Sequence, residues 1–232
     1  MIEEHPAGDG NLNGEGIQSA AMLTGDIVGS RKRSAADLRN LGELLREAVN
    51  SATEAFPSAG ISTIDLFRGD SWQVLVRNRK DALRVALFIR TCMRGGEARN
   101  KPSWETRVGI GVGGVDWVDE EHISQSQGSA FVASGNALDS LSGSRRHMGL
   151  QLTAGEKKVF TEQAVISLLD ALVQRWTSRQ AWAVNRALRR LTQEEIGAAF
   201  VPQVGRRTAG DHLERADWDA VQTALGWWKE QL

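Results

Sequence analysis

Ala21-Met-Leu-Thr-Gly-Asp-Ile-Val-Gly-Ser30 is the stretch whose reading decides the fold. Ala21, Met22 and Leu23 supply a short apolar strand, Gly25 lets the backbone approach closely, and Gly29-Ser30 opens the next segment with main-chain amides facing outward. The chain repeats this grammar at Phe67-Arg-Gly-Asp-Ser-Trp72. There Arg68-Gly69-Asp70 reads as the turn of a hairpin between the apolar-rich runs Ser62 to Phe67 and Trp72 to Val76. Two carboxylates at adjacent strand ends, beside amides suited to phosphate, form a donor pattern for a divalent metal and a phosphate. Either Gly-Asp step taken alone also reads as a turn or a helix cap.

Outward from these motifs the elements alternate. Ser34 and Asp37 form a capping box, and Leu38, Leu41, Leu45, Ala48, Ala52 and Phe56 follow at helical spacing until Pro57-Ser-Ala-Gly60. After the hairpin, Lys80 to Arg94 predicts a second helix, stopped by Gly95-Gly96. Thr106 to Val112 is a strand, which completes a β-α-β-β-α-β order and predicts an α+β, ferredoxin-like domain. Its segment Arg107-Val-Gly-Ile-Gly-Val-Gly113 lacks the Gly-x-Gly-x-x-Gly spacing of a dinucleotide site, so it reads as a central strand whose glycines admit a close neighbour. Ala130 to Ser140 predicts a short helix and His147 to Thr153 an edge strand.

Asp26-Ile-Val-Gly-Ser30, Gly69-Asp70 and Arg107-Val-Gly-Ile-Gly together resemble the class III nucleotide cyclase palm, and within it the SatD family. The resemblance runs from about Ala21 to Gly155. It implies two ions, Mg²⁺ or Mn²⁺, that bind a nucleoside triphosphate, with Asp26, Ile27 and Asp70 as metal ligands and Asp26 and Asp70 as the catalytic pair. Ile27, Val28, Gly29 and Ser30 would touch phosphate, and a homodimer would be the active unit. The chain departs from the cyclase pattern at three positions. Leu66 stands where a base-reading Lys or Glu is usual, and Val132 and Asn136 stand where Asn and Arg usually stabilise the transition state.

From about Gly155 the pattern turns wholly helical. Thr161 to Trp176 and Arg179 to Arg190 predict two helices, and Thr192 with Glu195 forms a capping box. The turn Val201-Pro-Gln-Val-Gly205 leads into Arg206-Arg-Thr-Ala-Gly-Asp-His-Leu-Glu-Arg215, and the pair resembles a helix-turn-helix. It would set Arg206, Arg207, Thr208 and Arg215 on a face that contacts double-stranded DNA. From residue 161 onward nine Lys or Arg balance nine Asp or Glu, so a protein-docking use stays open beside DNA. The chain is thus expected to comprise a disordered tail over 1–18, a cyclase-like palm over 19–155 and a helix-turn-helix domain over 156–232.

Whole-chain properties set the limits. The 232 residues carry 28 basic and 29 acidic side chains, a formal net of −1, so no global field draws the protein to nucleic acid or membrane. The single cysteine, Cys92, excludes an internal disulfide. The lack of a leader or a long apolar segment predicts a soluble cytoplasmic protein. Of the eight tryptophans, Trp72 sits nearest the candidate site, where it either meets a nucleobase or covers the sheet, and Trp227-Trp228 is a candidate self-association surface. Three readings of function follow: a nucleotide-responsive regulator, an active nucleotide cyclase or nucleotidyltransferase, and a non-catalytic scaffold.

Overall fold

The computed structural model describes residues 19–30, 35–67, 69–153 and 159–232; of 35–39 and 159 the backbone alone is described. The tail over 1–18, the capping box at Ser34 and the boundary near Gly155 lie outside these residues. Five strands form one sheet: β1 (Ala20–Ile27), β2 (Asp65–Phe67), β3 (Ser71–Val76), β4 (Thr106–Gly113) and β5 (Met148–Leu152), in the order β2-β3-β1-β4-β5. β1 runs antiparallel to β3 and β4, β2 antiparallel to β3, and β5 parallel to β4. With α1 (Ala35–Ala55) after β1 and α2 (Ala82–Arg94) after β3, this is the expected ferredoxin-like arrangement with one strand added at its edge.

Alternation along the strands gives the sheet two unlike faces. On one, Leu23, Ile27, Val74, Val76, Val108 and Ile110 join Leu41 and Leu45 of α1 and Leu83, Leu87 and Phe88 of α2 in the main core. On the other, Gly109, Gly111 and Gly149 meet α3 (Ser129–Asp139). A Cβ at Gly111 would collide with the Ser134 amide and the Ala130 carbonyl, and one at Gly149 would lie 2.7 Å from the Ala137 carbonyl. The glycines of β4 are there because α3 lies backbone-to-backbone on the sheet.

Trp72 belongs to the core and is not available to a base. It is fully buried, its ring fills the space a side chain at Gly25 would need, and its Nε1 donates to Thr106 Oγ1 at 3.0 Å. The tertiary structure draws the ring across β1 because position 25 is glycine.

Among the described residues five further α-helices follow: α4 (Val159–Arg175), α5 (Ser178–Leu188), α6 (Gln193–Ala198), α7 (Arg206–Glu214) and α8 (Trp218–Gln231). The capping box expected at Thr192 and Glu195 forms, as does another at Thr177 and Gln180. The main core continues into these helices through Ile166, Val173, Trp176, Val184, Leu213 and Trp228. Trp228 is therefore not part of a self-association surface: it is buried and its Nε1 donates to the Arg79 carbonyl at 3.2 Å. Trp227 beside it is half-buried.

A buried ionic cluster joins α4 to the palm. Arg90 on α2, with no exposure, donates to Glu105 Oε1 at 2.8 Å and to Asp170 Oδ1 on α4 at 2.6 Å. Arg94 pairs with the other Glu105 oxygen and donates to the carbonyls of Gln174 and Trp176. Burial pushes the Glu105 carboxyl up, but the hydrogen bond with His147 and the charges of Arg90 and Arg94 outweigh it and hold the group at about 2. A depressed carboxylate stabilises the fold fully above its ordinary value of 4.5, and that contribution is lost as pH falls toward 2.

Two outcomes are expected. Glu105→Gln should cost about 3–5 kcal/mol at neutral pH, because it leaves Arg94 without its acid and Arg90 with Asp170 alone, and should flatten the loss of stability between pH 4.5 and 2 in denaturant titrations. Gly111→Ala should cost about 1–3 kcal/mol or more by forcing α3 off the sheet; an unchanged melting temperature would contradict the close approach.

Candidate functional site

β1 carries Asp26 to its last turn of pleat, where the register sets it opposite Ser71 on β3 and Arg107 on β4. Asp70 lies one residue before β3, in a turn that Gly69 makes possible with φ of 83°. The two carboxylates thus leave neighbouring strands at the same end of the sheet. Their main chain is fixed from below: Thr106 Oγ1, which accepts from Trp72, donates to the Asp26 carbonyl at 2.7 Å. The Val28 amide donates to the Glu105 carbonyl at 2.9 Å, so the loop that follows Asp26 is tied to the residue at the centre of the buried ionic cluster.

Each carboxylate has a partner. Arg107 grips Asp26 with two nitrogens, Nε to Oδ1 at 2.8 Å and Nη2 to Oδ2, a bidentate pair. Ser30 Oγ donates to Asp70 Oδ2, which folds the loop over Ile27–Ser30 back onto the second carboxylate. The hydrogen bond to Asp26 and the charges of Asp26 and Asp70 together push the Arg107 guanidinium above its ordinary value. Arg107 is therefore the ion-pair partner of Asp26, with Asp70 acting on it through its charge alone.

A cavity of about 330 Å³ opens beside this pair, lined by Thr24, Asp26, Phe67, Ser71, Gln73, Arg107 and, from α3, Gly135, Leu138, Asp139 and Ser142. All the strand residues among them lie on the α3 face of the sheet, beyond the glycines that α3 covers. Thr24 Oγ1 bonds Ser134 Oγ at 2.7 Å and accepts from Gln73 Nε2 at 3.2 Å, while Gln73 Oε1 is buried with no hydrogen-bond partner. The cavity is small and mostly polar.

Of the residues expected to touch phosphate, Val28 and Gly29 are exposed, and Ser30 is buried against Asp70. Ile27 is buried on the α1–α2 side, so it can serve a metal only through its main-chain carbonyl. Leu66 packs against the main core on that same side, 3.5 Å from where a Cβ at Gly42 would lie. Val132 and Asn136 sit on the outward side of α3, where Val132 is 66% exposed. Arg145 and Arg146 are exposed and do not line the cavity. The acidic stretch with His122 is a surface loop in which Asp119 Oδ1 accepts from the Glu121 and His122 amides. Arg206, Arg207 and Thr208 are exposed on α7 and Arg215 is exposed just past its end, and no residue of α6, α7 or α8 lines the Asp26 cavity. Residues 199–205 join α6 to α7.

The donor set suits a hard divalent ion. Mg²⁺ and Mn²⁺ are commonly held by one or two carboxylates, with water and phosphate oxygens completing the shell, and Asp26 and Asp70 supply the two carboxylates. Among the described residues no group of three or more His, Cys, Asp or Glu gathers into a metal site.

No family model and no curated protein matches the sequence. Among solved structures the chain is similar to adenylyl and guanylyl cyclase domains. The monomeric guanylyl cyclase domain of a RhoGC fusion protein from the aquatic fungus Blastocladiella emersonii is 16% identical, with 53% of this chain and 75% of that chain covered and a TM-score of 0.42. An adenylate/guanylate cyclase/hydrolase from Silicibacter pomeroyi is 27% identical over 50% of this chain and 67% of that chain, at a TM-score of 0.38. A bacterial light-regulated adenylyl cyclase is 16% identical over 62% and 79%, at 0.41. No helix among the described residues is long and apolar enough to cross a membrane.

Sequence reasoning named the two aspartates and did not find their partners. Arg107 was in view as the first residue of a glycine-rich strand, but its role follows from the β1–β4 register, which places it opposite Asp26. Arg107→Ala removes the counter-charge, so Mn²⁺ alone should bind several-fold more tightly, on the order of 1 kcal/mol for a half-exposed pair, in an isothermal titration. Equal affinity in the two proteins would mean that Asp26 takes no part in metal binding.

Proposed function

We propose that the chain is a metal-dependent nucleotide-binding protein of the cyclase-like palm type, acting as a nucleotide-responsive regulator. The observation that carries this reading is the convergence of Asp26, Asp70, Ser30 and Arg107 at one end of two neighbouring strands. Asp26 and Asp70, with the Ile27 carbonyl, would hold Mg²⁺ or Mn²⁺. When bound, the metal supplies Lewis-acid polarisation of phosphate oxygens.

The chain's own residues do the rest. Arg107 leaves Asp26 as the ion arrives and turns its fork to a phosphate oxygen, exchanging one bidentate anion for another. The loop over Ile27–Ser30 presents its amides and the Ser30 hydroxyl to phosphate. Thr24 and Gln73 border the cavity and orient what enters it. Neither Val132 nor Asn136 can supply the charge that a cyclising transition state requires, and this favours a sensor over an enzyme.

The reading is tested by thermal shift and titration with the four ribonucleoside triphosphates and Mn²⁺. Nucleotide-dependent stabilisation should be present in the wild type and lost in Asp26→Ala and Asp70→Ala; stabilisation unchanged in both would sink it. The same mixtures analysed by mass spectrometry should contain no new nucleotide. A cyclic or oligomeric product that disappears in Asp26→Ala would instead make the protein a nucleotide cyclase or nucleotidyltransferase.

The output of this regulator is read from α7. Arg206, Arg207 and Thr208 are exposed in the first turn of α7 and Arg215 just past its last residue, side chains of the kind with which a helix contacts double-stranded DNA. Replacing Arg206 and Arg207 together with Ala should weaken duplex retention at low salt and lower the salt slope by about two. Indifference to both substitutions would assign α7 to protein docking.

A further inference from the structure

A second cavity, of about 310 Å³, lies where the start of α2, the end of α5 and α8 meet. It shares no lining residue with the Asp26 cavity. Lys80, Arg84, Arg190 and Lys229 line it, against a single acid, Asp81, whose Oδ2 already accepts from Asn78 Nδ2 at 2.8 Å. None of the four cations forms an ion pair among the described residues, whereas Arg77, Arg90, Arg94, Arg99, Lys101, Arg107 and Arg189 all do. The remaining walls are Trp218, Gln222, Leu225, Gly226 and Ala187, an indole and small apolar surface beside one amide.

Arg84 is half-buried, and burial first, then the charge of Arg190, pushes its guanidinium below the ordinary value, with Asp81 pulling the other way. The half-buried Arg84, which lies over the Phe56 ring, and the exposed Arg190 repel each other with no acid engaged, an arrangement complementary to an anion that the chain does not itself provide. The backbone points the same way. Arg190 has φ of 65°, the left-handed conformation that ends a helix and that glycine adopts without strain. Its amide donates to the Ala187 carbonyl at 2.8 Å, so the turn is a helix terminus in which Gly would serve better.

We propose that this cavity binds a small phosphate-bearing anion of two or more negative charges, up to a nucleoside monophosphate in size. Phosphate oxygens meet Arg84, Arg190, Lys80 and Lys229, and the Trp218 side takes the apolar or base portion. The volume stands at the lower end of the range for small-molecule pockets, which sets the size limit. Because α2 belongs to the palm and α5 and α8 to the helical part, the bound anion bridges the two.

The test uses the full chain in EDTA, so that a metal-dependent site is silent, with inorganic pyrophosphate and adenosine 5′-monophosphate as probes. Millimolar pyrophosphate should raise the melting temperature of the wild type and equally that of Asp26→Ala. Arg190→Gly should melt at the wild-type temperature or above, since it relieves the strained turn, yet bind about tenfold or more weakly by titration calorimetry. Arg84→Gln should lose the response too. The same shift in Arg190→Gly and Arg84→Gln as in the wild type, or no shift with either probe, would overturn the proposal. Arg190-dependent binding of duplex DNA without binding of either small anion would overturn it in favour of a nucleic-acid surface.

Discussion

The contact between α3 and the glycine-lined stretch of β4 and β5 is the constraint on which the architecture around the site depends. Gly109, Gly111 and Gly149 remove the side chains that would otherwise hold a helix at the usual distance, so α3 settles onto backbone. One consequence is that Ser134 reaches Thr24 and that Gly135, Leu138 and Asp139 wall the cavity beside Asp26. Another is that the part of this face α3 does not cover keeps polar side chains: Thr24, Asp26, Ser71, Gln73 and Arg107. The opposite face, buried under α1 and α2, holds aliphatic residues and Trp72.

On that polar remnant the dominant interaction is the Asp26–Arg107 pair. It neutralises the Asp26 carboxylate at the end of the sheet where Asp70 also emerges. A half-exposed pair of this kind contributes little to stability, about 1 kcal/mol or less, so its exchange for a metal and a phosphate is energetically accessible. The buried cluster around Arg90 differs in kind. Arg90 and Asp170 are wholly enclosed, and removing any member would leave an uncompensated charge in the interior. Through the Glu105 carbonyl it also holds Val28 of the loop that follows Asp26.

Much of this was legible in the residue order. Alternating apolar runs, the Gly-Asp steps and the Thr192 capping box predict the elements, and the β-α-β-β-α-β order predicts how the strands neighbour one another. The Arg107-Val-Gly-Ile-Gly strand announces a close neighbour without naming it. What could not be read is whatever depends on register or on distant packing. Arg107 becomes a partner of Asp26 only because β4 pairs with β1 in one particular alignment, and sequence periodicity is blind to that alignment. For Trp72 the residue order already offered sheet cover beside base contact, and Trp228 read as surface because it follows Trp227 in an amphipathic helix. Each is buried by elements far away in sequence, β4 in the first case and the segment of Arg79 in the second. The cation-lined cavity gathers residues from Lys80 to Lys229, which no local pattern connects.

The most direct test of the central claim, that Asp26 and Asp70 together hold a metal–nucleotide complex, is an electron paramagnetic resonance titration of Mn²⁺ into the full chain with and without a non-hydrolysable triphosphate. The account predicts at least about one bound Mn²⁺ per chain once nucleotide is present, weaker uptake without it while Arg107 occupies Asp26, and loss of binding in Asp70→Ala. Free Mn²⁺ at the same level in the wild type and in Asp70→Ala, with nucleotide present, would contradict it.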